Sequence, residues 1–367
     1  MKIDLFKTRI SEESISNVAE VLRSGWIGLG PKTAEFEKAF AEYVGAKYCV
    51  GLNSCTSALH LAVRLLNAPE GSEIITTPMT FVSTNEAILY ERLKPIFVDV
   101  ERGTLNIDVT KIEAAITKKT VAILCVHFAG QPCDLEEIYR LAKRYNIKVI
   151  EDAAHACGAS YHGKKIGSDS ELACFSFHAV KNLPMGDGGA ITTNNKKYYD
   201  ELLKLRWLGI NKSTFSRSEA NYKWKYDVDI LGYKYHMNDI TAAIGLGQLK
   251  TLDKENRHRQ KLVDIYTSLL YDSNLEIPEY KYDRTSSNHI FHIKVEDREK
   301  LMNVLADNGI GSGVHYYPNH LYKLFGGGEL PITEEVYGKI ISLPLHTYLT
   351  EKDIVDVCNV IKSEVDY

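Results

Sequence analysis

The sequence predicts a large α/β domain built on a seven-stranded, mostly parallel sheet, followed by a smaller α+β C-terminal domain. Three observations carry this. Short apolar runs alternate with helical stretches between residues 47 and 193, the pattern of strands joined by helical crossovers. The character changes near residue 235, where longer helical segments take over. The chain's 367 residues also exceed what one hydrophobic core commonly spans. The division falls at 1–240 for the large domain, including an N-terminal helical segment, and 241–367 for the small one.

The elements follow in order. "SEESISNVAEVLRSG" (11–25) is an amphipathic helix closed by Gly25, and "PKTAEFEKAFAEYVGA" (31–46) is a second. Strand candidates are the apolar runs at 47–52, 72–77, 94–100, 120–126, 147–153, 171–177 and 188–193. Helices at 57–67, 83–91 and 134–146 separate several of them. The last two strands are linked too tightly for a helical crossover, which predicts an antiparallel turn there. Beyond them, 238–270 reads as one long helix. It is followed by "HIFHIKV" (289–295), a helix at 297–309, "GVHYY" (313–317) and a final helix at 350–365.

The formal net charge of −4 lacks the basic excess that phosphate neutralisation on nucleic acid requires. Seven cysteines, at 49, 55, 125, 133, 157, 174 and 358, form no C-x-x-C and several lie in apolar runs. They read as reduced thiols of a cytoplasmic protein. No apolar run reaches the about 18 residues of a membrane span. No H-E-x-x-H or comparable spacing relates the histidines, so no metal is expected.

Three features sit where strand candidates end, the place open α/β sheets put their ligand crevice. "NSCTSALHL" follows the first strand, and free N–H groups at a helix start there suit a phosphate. Its plainer account is a Ser/Thr cap. In "VIEDAAHACGA", Glu151 and Asp152 end an apolar strand, so a carboxylate there needs a cationic or N–H partner. The alternative is a capping aspartate beside a core histidine, His155. In "FSFHAVKNLPMGDGGAITT", Lys181 stands between a strand and a glycine-rich turn. A crevice would lower its pKa and make it a nucleophile, whereas an isolated loop lysine is commonly solvated. Together the three match pyridoxal phosphate. An amine takes the aldehyde, a carboxylate pairs with the pyridine nitrogen, and backbone and hydroxyl donors hold the phosphate.

These blocks, with "GYKYHMNDITAAIGLGQL", "RSGWIGLGPKTAEFEKAFAEYVGAKYCVGLNSCTSALHLA" and "GVHYYPNHL", resemble the DegT/DnrJ/EryC1/StrS family over nearly the whole chain. These are pyridoxal-phosphate aminotransferases of nucleotide-linked keto sugars. The resemblance implies a fold-type-I PLP-dependent transferase working as a homodimer with shared active sites. Lys181 would bond the aldehyde and shuttle the proton, and Asp152 would pair with the ring nitrogen. His155 would lie near the ring hydroxyl and Phe81 over one ring face. Cys55, Thr56 and Ser176 would contact the phosphate. Lys234 would reach the phosphate of the neighbouring subunit's cofactor, and His315 and Tyr316 would approach the sugar. Many members have Ser-Gly-Thr where Ser54-Cys55-Thr56 stands, and Asn where Lys234 stands. The implied reaction takes an amino group from L-glutamate, through pyridoxamine 5'-phosphate, to a keto sugar of 4-keto-6-deoxy type. Amination at C3, a sugar dehydratase and a non-catalytic regulator are the alternatives. A dehydratase branch has His where Lys181 stands. The polar, aromatic loop 211–230 reads as the sugar determinant or as a solvated crossover arm.

Overall fold

The computed structural model of the chain describes residues 2–210, 226–273 and 275–365. All seven apolar runs enter one sheet. Its strands are β1 (Tyr48–Leu52), β2 (Glu73–Thr76), β3 (Lys94–Phe97), β4 (Thr120–Val126) and β5 (Lys148–Asp152). A small hairpin, β6 (Ser160–Tyr161) and β7 (Lys164–Lys165), intervenes before β8 (Ala173–Ser176) and β9 (Gly189–Thr193) complete the sheet. The order is β1-β9-β8-β5-β4-β2-β3. β9 alone runs against the other strands, pairing antiparallel with both β8 and β1. The tight link from β8 to β9 therefore makes the antiparallel turn that its length demands.

Strand side chains alternate between two apolar layers. Ile75, Ile123 and Val149 join one core cluster, while their neighbours Ile74, Leu124 and Ile150 join another. On the first face, α1 (Glu12–Ser24) and α2 (Pro31–Val44) pack against a later helix. α3 (Cys55–Arg64) and α4 (Val82–Tyr90) pack together and supply the second layer. α5 (Val109–Ala115) and α7 (Lys196–Leu205) went unread in the sequence, and α6 (Leu135–Tyr145) is the crossover before β5.

The single helix expected over 238–270 breaks at Lys250–Thr251 into α8 (Asp239–Leu249) and α9 (Leu252–Leu270). The two halves have different surroundings. α8 carries Ala and Gly, lies against α1 and α2 and joins the first core. Leu252 at the start of α9 still belongs to the first core, and Leu262, Val263, Tyr266 and Leu270 farther along it join a third.

In the C-terminal part, β10 (Arg284–Thr285) pairs with β6. β11 (Phe291–Lys294) pairs antiparallel not with "GVHYY" but with β12 (Ile340–Leu343). Only Gly313 of the expected 313–317 strand bridges, to Ser342. "IISL" was passed over because it follows α11 (Pro331–Lys339) with no turn residues between them. α10 (Arg298–Asp307) and α12 (Glu351–Val365) cover this pair. No described helix is long and apolar enough to cross a membrane, and all seven cysteines are free and buried.

Two helices borrow their caps. α2 and α11 both open on proline, and neither N-cap residue, Gly30 or Leu330, offers a side-chain bond. Buried Asp239 accepts instead from Gly30 N (2.9 Å), Lys32 N (3.1 Å), Thr33 N (2.9 Å) and Thr33 Oγ1 (2.7 Å). Asp99 does the same for α11, accepting from Ile332 N (3.2 Å), Thr333 N (2.9 Å) and Thr333 Oγ1 (2.7 Å). The carboxylates satisfy orphan N–H groups and meet the positive end of each helix. These bonds also hold the Asp99 carboxyl below its ordinary value although burial opposes them. Asp239→Ala leaves four donors unpaired and should destabilise the fold by about 3 kcal/mol, read by chemical denaturation.

Candidate active site

The strand ends of the sheet surround a cavity of about 280 Å³. That is near the lower end of small-molecule sites, roughly 300–1,000 Å³. Ser54, Cys55 and Thr56 line it from the β1–α3 turn, Phe81, Ser83 and Thr84 from the start of α4, and Asp152, Ala154 and His155 from the end of β5. Ser176, His178, Lys181, Asp187 and Gly188 line it from the β8–β9 connection, and Tyr316 closes the last side.

Asp152 ends β5 and is buried. Its Oδ2 accepts from Thr84 Oγ1 at 2.7 Å and its Oδ1 from the Ala154 N–H at 3.0 Å. Burial pushes the carboxyl pKa up against these bonds and against the nearby Lys181. Glu151, its neighbour, points to the opposite face. There it is bound by His127 Nε2 at 3.1 Å and the Tyr139 hydroxyl at 2.7 Å, and it takes no part in the cavity.

Lys181 is largely enclosed. Desolvation lowers its amine pKa to about 8, opposed by Asp152 and Cys55. The amine lies 3.4 Å from His289 Nε2. Cys55 is the first residue of α3, capped by Ser54 Oγ, which accepts from Ser57 N at 3.1 Å. The capping and cradle readings are thus compatible. The N–H groups of this first turn have no partner four residues back, and they border the cavity. Gly189 makes room for them, because a Cβ there would meet Ser54 C and O at 2.4 Å and Cys55 N at 2.6 Å.

His155 is buried, with Nε2 at 2.9 Å from the Tyr316 hydroxyl and Nδ1 lacking a partner. Burial, then Lys181 and His315, hold this ring neutral. Phe81 stands at the mouth, 58 % exposed. Two sequence candidates lie elsewhere. His315 does not line the cavity; its Nδ1 lies 2.8 Å from Ser342 Oγ, because the Gly313–Ser342 bridge draws it toward β12. Lys234 is also absent from this cavity. Its Nζ sits 3.6 Å over the Trp207 ring, in a separate hollow with Gly25–Leu29 and His236. Thr84, His289 and Asn182 were missed. Nothing in the local sequence separates them from an ordinary helix residue, strand histidine or loop amide. Residues 211–225 of the candidate sugar loop lie outside the described residues, and no metal-capable cluster occurs among the described residues.

With this geometry in place, comparison with known proteins is decisive. Residues 8–362 match the DegT/DnrJ/EryC1/StrS aminotransferase family. The chain belongs to that family. The spore coat polysaccharide biosynthesis protein SpsC of Bacillus subtilis is 38% identical over 97% of this chain and 95% of its own length. The sugar aminotransferase CalS13 of Micromonospora echinospora superposes with a TM-score of 0.91, at 34% identity over 98% of this chain and 99% of its own. Spr1654 of Streptococcus pneumoniae has been solved in its PMP form and superposes with a TM-score of 0.93, at 31% identity over 100% of this chain and 99% of its own. Its PLP form superposes with a TM-score of 0.92. This DegT/DnrJ/EryC1/StrS member is a pyridoxal-phosphate-dependent enzyme with the fold-type-I architecture.

The donor set fits that cofactor. The buried Asp152 carboxylate holds only neutral donors at hydrogen-bond distance, which leaves it able to take a cationic ring N–H. The Gly189-backed turn offers N–H groups to a phosphate, and Lys181 offers an amine of lowered pKa. Gly189→Ala should push the Ser54–Cys55 backbone out of place and weaken cofactor affinity at least tenfold, about 1.4 kcal/mol. Absorbance titration of the refolded or purified variant measures this.

Proposed function

We propose that this sugar aminotransferase moves an amino group from L-glutamate to the keto carbon of a nucleotide-linked sugar. The carrying observation is the enclosed Lys181 amine facing the Asp152 carboxylate across one cavity, with a helix start on a third side. A 4-keto-6-deoxy sugar is favoured over a 3-keto sugar because "GYKYHMNDI" resembles the C4 enzymes. The polysaccharide role of SpsC and the sugar chemistry of CalS13 support the substrate class.

Pyridoxal phosphate, when bound, supplies the electron sink that makes amino-group transfer between two substrates feasible. The protein's own residues do the rest. Lys181 binds the cofactor and, as a free amine, carries a proton to and from the reacting carbon. Asp152 holds positive charge at the bottom of the cavity, with Thr84 and the Ala154 N–H fixing its orientation. Cys55, Thr56 and Ser176 would hold the phosphate, and Phe81 would cover one face of the ring. His155, fixed by Tyr316, would stand at the ring's hydroxyl side. Tyr316 reaches toward the sugar, while His315 supports it from behind.

We also propose a homodimer in which Lys234 serves the partner's phosphate. Lys234 does not line the cavity of its own chain, and Phe81 is exposed at its mouth, where a second subunit would cover it.

Lys181→Ala should lower turnover about 10⁴-fold or more and remove the long-wavelength absorbance of the bound cofactor. Full activity in that variant would overturn the assignment. A screen of keto-sugar nucleotides with L-glutamate, read by mass spectrometry, should show replacement of a keto oxygen by an amine. Loss of water alone would indicate a dehydratase. The rate should rise with pH toward about 8, because the unprotonated Lys181 amine accumulates as pH passes its lowered pKa; a pH–rate profile measures this.

A further inference from the structure

Lys181 sits at the end of a buried polar chain that the roles above leave unused. Asn256 Nδ2 donates to the Cys157 carbonyl at 3.0 Å. Asn182 Nδ2 donates to Asn256 Oδ1 at 2.8 Å and to the Ser287 carbonyl at 2.7 Å. Asn182 Oδ1 faces His289 Nδ1 at 3.0 Å. Backbone carbonyls only accept, so the orientation of both amides is fixed. Asn182 Oδ1 is therefore an acceptor, and the proton between it and the ring belongs to His289 Nδ1.

His289 is 2 % exposed, and burial, then Lys181, keep the ring neutral. A neutral imidazole protonated at Nδ1 has a bare lone pair at Nε2. That lone pair faces Lys181 Nζ at 3.4 Å. The ring is held in place by a stack on Phe6, with centroids 5.8 Å apart and planes 17° apart, and by the His155 ring at 4.5 Å. Its backbone N–H is tied to the Ala129 carbonyl at 2.9 Å.

We propose that His289, locked by Asn182 as the Nδ1–H tautomer, accepts one N–H of the Lys181 amine and leaves the amine's own lone pair free to face the cavity. His289 is thus a positioning residue that acts through Lys181. The residue directly after the lysine sets the acceptor that orients it. This rests on the reading of Lys181 as the proton-carrying amine.

Two measurements on the full-length, cofactor-free protein test it. Selective ¹⁵N-histidine NMR of the wild type should show His289 protonated at Nδ1 and bare at Nε2, with the signal assigned by its loss in His289→Asn. An Nε2–H ring or an imidazolium at neutral pH would overturn the proposal. Competitive acylation of Lys181 across pH, read by mass spectrometry, should show its midpoint fall by about one pH unit in His289→Phe, because the ammonium loses an acceptor. His289→Asn should restore the midpoint through its carbonyl oxygen. Asp152, Cys55, His155 and His315 also interact electrostatically with the amine and are unchanged in both variants. An unmoved midpoint in His289→Phe with unaltered thermal melting sinks the idea, and if that variant does not fold, the wild-type spectrum decides. Lys181→Ala separates the two readings: its inactivity beside the wrong His289 tautomer removes this proposal and leaves the function standing.

Discussion

An amine and a carboxylate share one water-poor cavity, and that shared desolvation is the constraint on which the site depends. Burial raises the Asp152 carboxyl and lowers the Lys181 amine, so each is displaced from its ordinary state by the same cause. Neither would be so displaced on a loop in water. The sheet creates the cavity by ending its parallel strands together. The reversed β9 then places Gly189 behind the β1–α3 turn, where a side chain would collide with backbone. Topology and chemistry meet at that one glycine.

The strands were legible because each is a short apolar run bounded by turns, and both faces of the sheet are covered. The failures were local. The 238–270 segment keeps a helical period through Thr251, and nothing in the local sequence marks the break at Lys250–Thr251. "IISL" carries four apolar residues and no flanking turn, so nothing in the sequence marks it as the partner of β11. At the site, Lys181, Asp152 and the Ser54–Thr56 turn were readable because their spacing follows successive strand ends. Thr84 and His289 were not, because each is brought in by tertiary packing from an element with no chemical signature of its own.

His315 and Tyr316 show how little sequence adjacency says about direction. Tyr316 bonds to His155 at the cavity wall, while His315 turns to Ser342 and packs edge-on to Phe6. Lys234 differs in kind. Its Nζ sits over the Trp207 ring, a cation–π contact.

The borrowed caps impose an order of events on synthesis. Thr33 and Asp239 are 206 residues apart, and Asp99 and Thr333 are 234 apart. When α11 emerges from a ribosome, its carboxylate has long been made. For α2 the order is reversed: the helix precedes its carboxylate, and its start stays open until residue 239 appears. The layer of α1 and α2 is thus unlatched over those 206 residues, and closes only when the helix that packs against it has arrived. Such long-range closure is slow compared with local helix formation.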